Sequence, residues 1–208
     1  MLVLRFEWIK TKKGLVVAVA ASAVILLVGG IALAVSLSET KKVVVSEEFR
    51  VARYNAGIMS RQVAELSSTA RGKIKQANDA ENAKNSVLAE SLLNAAQFAN
   101  NEAARNAAEL SRHLQVLISS VDGMPAGSSQ RYAYAAMTAE ISLVSEFIVY
   151  TKNLNEAIEA IAGGIEIGRH DQKMIDVALE KANTNVKRIN ELNQEFQTKI
   201  SKFDMSVQ

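Results

Sequence analysis

Apolar residues recur along most of this chain at steps of three and four, the repeat of a helix with one buried face. From Met59 the positions Val63, Leu66, Ala70, Ile74 and Ala77 follow that repeat. It resumes at Leu88, Leu92, Ala96, Ala99, Ala103, Ala107, Leu110, Leu114 and Leu117. A third stripe, Tyr134, Met137, Ile141, Val144, Ile148, Thr151, Asn155, Ile158, Ala162 and Ile165, reads as a heptad seam with Thr151 and Asn155 as polar interruptions. A fourth passes through Ile175, Leu179, Ala182, Val186, Ile189, Leu192, Phe196, Ile200 and Phe203.

The punctuation between these stripes sets the expected boundaries. Ser46 followed by Glu47 and Glu48 offers an N-cap with acidic residues in the first turn. Val121 to Gly127, which holds the single proline Pro125, is the clearest break, after which Ser128 or Ser129 is placed to cap the third helix. Gly163, Gly164 and Gly168 mark another break. The polar stretch 76–85 has neither Gly nor Pro and reads as a turn or as a solvated helical segment. Taken as a turn, it gives four helices over 46–77, 86–120, 129–166 and 170–203, each roughly 50 Å long at 1.5 Å per residue. Matched lengths and short connections predict an all-α, antiparallel up-down four-helix bundle. The competing arrangement is a long helical hairpin in which 46–120 is one rod of roughly 110 Å with the last hairpin packed on part of it.

Upstream of the bundle the pattern changes. Residues 14–37, from Gly14-Leu15 to Leu37, contain no charge and are long enough for the roughly 20 residues that a helix needs to cross a bilayer. Arg5, Lys10, Lys12 and Lys13 precede this run, and the far flank mixes acids and bases. The positive-inside rule then places 1–13 in the cytoplasm, 14–37 as a single-pass transmembrane helix in the cell membrane, and 38–208 as an extracytoplasmic helical domain. Phe6 and Trp8 suit the headgroup level. Ala32-Leu33-Ala34 fits a signal-peptidase site, against which the length of the apolar run argues for retention. Ala18 with Ser22, and Gly30 with Ala34, repeat small residues at the spacing that lets two helices approach closely in lipid.

Lys12-Lys13-Gly14 followed by an apolar run resembles the processing site of type IV prepilins and archaeal pilin-like proteins, with Val19 where that family usually has glutamate. The resemblance implies a pilin-like surface protein. The order of a membrane span followed by long helices is similar to that of LemA-like membrane proteins.

Charge and composition narrow the function. Of 24 basic and 22 acidic residues, those before residue 14 leave 20 against 21 in the rest, so the helical domain lacks the basic footprint of a nucleic-acid binder. Cysteine is absent, which removes disulfides, thiolate metal sites and a cysteine nucleophile. No Gly-x-Ser-x-Gly elbow, phosphate-cradling glycine loop or zinc-protease motif is present.

The two histidines lie in a local echo: Glu109-Leu-Ser-Arg-His113 and Glu166-Ile-Gly-Arg-His170. Glu and His four apart share a helix face, so each copy offers two metal ligands. An up-down topology puts the copies at opposite ends, which favours surface pairing over a joint metal site. The alanine-rich stretch Ala96, Ala99, Ala103 and Ala107 permits close helix approach and is the expected partner-binding surface. These features predict a non-enzymatic structural or assembly subunit, with the lipid bilayer and other protein chains as partners, and no cofactor or small-molecule substrate. The alternative is a ligand-binding sensor module, since periplasmic sensor domains are also helical bundles beside a membrane helix.

Overall fold

The computed structural model describes residues 45–168 and 170–207. They form α1 (Glu47–Asn82), α2 (Ser86–Asp122), α3 (Ser128–Glu166) and α4 (Gln172–Ser206), and no strand occurs among them. The helices run up, down, up, down. The α1–α2 and α3–α4 turns therefore share one end, while the α2–α3 loop shares the other with the start of α1 and the finish of α4.

The rod over 46–120 is overturned, because the polar stretch contains a tight reversal at Ala83–Asn85. Lys84 takes the left-handed conformation there, at φ 59°, and the Asn85 side chain accepts from the Leu88 amide at 3.1 Å to start α2. Ser46 caps α1 as its sequence predicts, accepting from the Phe49 amide at 3.2 Å. Neither Ser128 nor Ser129 caps α3. Gly127 holds that position without a side-chain bond, and the Ser129 hydroxyl donates instead to the Ser206 carbonyl at 3.1 Å. Gly163 and Gly164 lie within α3 rather than breaking it; the chain turns at Gly168, whose φ of 67° favours glycine.

The four helices do not pack evenly. The axes of α1 and α2 approach closely along their length, as do those of α3 and α4, and α2 faces α3. Alanines make the first approach possible: Ala52, Ala56, Ala70 and Ala77 on α1 and Ala89, Ala96, Ala103 and Ala107 on α2 are all buried. On the remaining side the backbones of α1 and α4 barely meet, and long side chains bridge the gap. Phe49 and Phe203 stack at a tilt with ring centroids 5.6 Å apart, and Arg53 grips the Asp204 carboxylate with two bonds of 2.7 and 3.0 Å.

The buried face of α3 is rotated from the expected seam. Its innermost row runs through Ala136, Glu140, Leu143, Phe147, Leu154 and Ile161, whereas Ile148 is 39% exposed. Because α3 faces both α2 and α4, the expected seam becomes one border of a broad buried arc.

The segment 14–37 lies outside the described residues, so the anchor positions Gly14, Leu15, Ala18, Ser22, Gly30, Ala34 and Leu37 and the topology residues Arg5, Lys10, Lys12 and Lys13 do too. Among the described residues no helix is long and apolar enough to cross a membrane.

Candidate functional site

Two places in the bundle collect polar or exposed groups that packing alone does not account for. The first is a polar layer near mid-length. Asn100 on α2 donates through Nδ2 to the Thr151 carbonyl at 2.6 Å and to Asn155 Oδ1 at 2.8 Å. Asn155 Nδ2 donates to Asn101 Oδ1 at 2.6 Å. Across the next interface Asn153 donates to Asn185 Oδ1 at 2.6 Å, and Asn185 donates to Glu146 at 2.5 Å. Amides paired across helices penalise a sliding register, because a shift strands each of them without a partner. Thr151 and Asn155, the interruptions of the seam, belong to this layer. At the same level Arg71 Nη1, Asn100 Oδ1 and Tyr150 Oη are buried without a protein partner. Burial pushes the Tyr150 phenol up, and the nearby Arg71 charge partly offsets that.

The second place is an open groove of about 1240 Å³ between the last turns of α3 and the first turns of α4. Its floor is built from small residues, Ala160, Gly163, Gly164 and Ala178, and Ile167, Met174 and Val177 stand on its edge. Ile167 is 74% and Met174 59% exposed. Carboxylates of Glu156, Glu159, Glu166 and Asp171 line it together with Lys173 and Lys181. Three of the four acids have work inside the chain. Glu156 lies 3.8 Å from Lys181, Glu159 accepts from Gln97 at 2.9 Å, and Asp171 caps α4 through the Met174 amide at 3.1 Å.

His170 seals the base of the groove. Its Nε2 meets a Glu81 carboxylate oxygen at the end of α1, tying the two hairpins together. The Nδ1 side of its ring lies against Gly164, where an added Cβ would fall 2.8 Å from Cγ and 2.9 Å from Cε1, with Nδ1 closer still. Gly164 is therefore the residue that makes room for the imidazole.

The four candidate metal ligands do not converge. Glu109 pairs with Arg112 one turn along α2, and His113 sits beside them, half-buried. His170 lies at the other end of the bundle, about 40 Å away along the helix axis, and is bound to Glu81 rather than to Glu166. Among the described residues no group of three or more His, Asp and Glu side chains is placed to hold a metal ion.

The alanine seam requires a correction. Ala96, Ala99, Ala103 and Ala107 are 0–5% exposed, because they carry the close approach of α2 within the chain, so they offer no face to a separate partner. No protein family, curated protein or solved structure matches this chain.

Sequence periodicity missed one further group. Glu140 is 3% exposed, and burial alone pushes its carboxyl up to about 7. An acid flanked by Met137 and Ile141 on a heptad stripe was the available signal, but one row of offset in the α3 face hid it.

Proposed function

We propose that this chain is a membrane-anchored, non-enzymatic structural or assembly subunit whose extracytoplasmic helical bundle binds other protein subunits. The observation that carries this reading is the number of large apolar side chains left exposed: Tyr54, Phe98 and Met205 elsewhere on the bundle and, at the hairpin-turn end, Val87 at 82%, Ile167 at 74% and Met174 at 59%. Large apolar side chains left in water beside a groove are more economically explained by a protein contact than by stability of the chain alone. Residues 14–37 supply the proposed anchor in the cell membrane. The nine residues 38–46 then lead into α1 at the opposite end of the bundle, which holds the turn end roughly 50 Å further along the helices. Detergent extraction of the intact protein followed by native mass measurement is expected to give a particle heavier than one chain; a strictly monomeric, partner-free particle would sink the reading.

A second reading, a ligand-binding sensor module, is favoured by the buried unpaired atoms of Arg71, Asn100 and Tyr150, which could recognise a small polar solute. A small-molecule thermal-shift screen on the wild type and on Arg71→Leu tests it. No ligand raising the melting temperature of the wild type alone counts against it.

A further inference from the structure

We propose that the groove between α3 and α4 is the docking site for a basic amphipathic helix of a partner protein, roughly three turns long. The inference rests on the protein-binding reading above and names the surface and the chemistry of what it takes.

The dimensions suit a helix. The groove follows α3 from Glu156 to Glu166 and α4 from Asp171 to Lys181, which is about 15 Å, or three turns. Its 1240 Å³ exceeds the 300–1,000 Å³ of usual small-molecule pockets. A floor of glycine and alanine lets another backbone come close, and Ile167, Met174 and Val177 provide apolar contacts for i, i+3, i+4 anchors.

Two residues in the final turn of α3 strengthen the case, since each costs the helix stability with no return from the described residues. Glycine at 163 is unfavourable inside a helix, and no atom lies within 4 Å of where its Cβ would stand. His170 explains Gly164; none of the described residues explains Gly163. Glu166 places a negative charge at the negative end of the helix dipole, in a last turn with no basic residue. No ion pair holds it among the described residues. Both residues line the groove, and both become favourable if a positively charged helix lies against them.

The charge of the rim selects the partner. Among the described residues four carboxylates stand against two lysines, and Lys181 is already beside Glu156. Complementarity favours lysines or arginines on the polar face of the incoming helix and disfavours nucleic acid or an anionic lipid surface.

The test uses the full-length protein in zwitterionic nanodiscs and two labelled synthetic probes. One is a Leu/Lys amphipathic helix; the other is a Leu/Glu helix with the same apolar face. Anisotropy titration is expected to show the basic probe binding at least tenfold more tightly than the acidic one, after subtraction of empty nanodiscs. Gly163→Leu fills the groove from an open position and should weaken the basic probe at least tenfold. Glu166→Lys should weaken it severalfold. Both variants are expected to melt no lower than the wild type, which separates lost docking from lost folding. Should Gly163→Leu fail to fold, Glu166→Lys decides alone. The proposal is overturned if the probes bind alike, if neither binds, or if a folded variant binds as the wild type does. It is also overturned if the intact chain is a homodimer that Gly163→Leu splits, because the occupant is then a second copy. Native particles that keep their partners in Gly163→Leu remove this site but leave the subunit reading standing, whereas a partner-free monomer removes both.

Discussion

The two ends of the bundle solve the same problem differently. Each must close the wide side between α1 and α4. At the end holding the α2–α3 loop, the gap is filled: Phe49 and Phe203 are each 1% exposed, and the Arg53–Asp204 pair beside them is mostly covered, at 19% and 16% side-chain exposure. Gln130 adds a tie to the loop, donating to the Val121 and Met124 carbonyls at 3.1 and 3.3 Å. At the turn end one polar contact, Glu81 with His170, spans the gap, and large apolar residues stay outside. Both ends bury apolar residues and both expose some, Tyr54 at 69% and Met205 at 68% at the first and Ile167 at 74% at the second. The difference therefore lies in how the α1–α4 gap is closed: by stacked rings at one end and by a polar contact at the other.

The sharpest way to break that contrast is Phe203→Ala. Removing a fully buried ring that no backbone approach can replace is expected to cost about 3–5 kcal/mol, read from chemical denaturation. A cost below about 1 kcal/mol would mean that the filled end is not what holds α1 to α4.

The next effect comes from Glu140, in the same half of the molecule. Its carboxyl titrates near 4.5 when exposed and is held at about 7 in the fold by burial. Below pH 4.5 both states are protonated and the group contributes nothing. Between pH 4.5 and 7 the unfolded state gives up this proton while the folded state keeps it, so stability falls by about 3 kcal/mol across that window and levels off above 7, where both states are ionised. Glu140→Gln should abolish that slope and exceed the wild type at pH 8. Parallel stability-versus-pH curves for the two proteins would refute this account.

These residues also show how far the sequence could be followed. The stripes, the Ser46 cap and the Pro125 loop give four helices within a few residues of their observed limits, because caps and periodicity are local. The direction of the α3 face is not local. It depends on α3 lying between two neighbours, so Ile148 is read as inside and Glu140 is overlooked. The turn at Ala83–Asn85 is only half legible, since a lysine in the left-handed region leaves no glycine to mark it. The site was less visible still. Glu166 and His170 stand four apart in sequence and both line the groove, yet His170 turns to Glu81, 89 residues away. The Ala96 to Ala107 seam was recognised as a close-packing surface, but periodicity cannot say whether the neighbour belongs to the same chain.

At the turn end the expected effects are smaller and depend on a single methyl group. Gly164→Ala forces the His170 ring away from α3 and from Glu81. Overpacking of this kind costs about 1–3 kcal/mol, reduced by the better helix propensity of alanine. The net loss should appear in the melting temperature, together with a changed His170 imidazole signal by NMR. An unchanged imidazole signal would show that the ring is not seated on Gly164.

The same substitution one residue earlier gives the smallest effect and the most informative sign. At Gly163 an added Cβ meets nothing within 4 Å, so Gly163→Ala should remove backbone entropy from the unfolded chain and stabilise the isolated protein by about 0.5–1 kcal/mol. Adjacent glycines would then respond in opposite directions, 164 because the chain fills its space and 163 because the chain leaves its space open. Denaturation midpoints of the two variants, measured side by side, decide the matter. Loss of stability in both would mean that position 163 is occupied within the chain, and the turn end would then be as closed as the other.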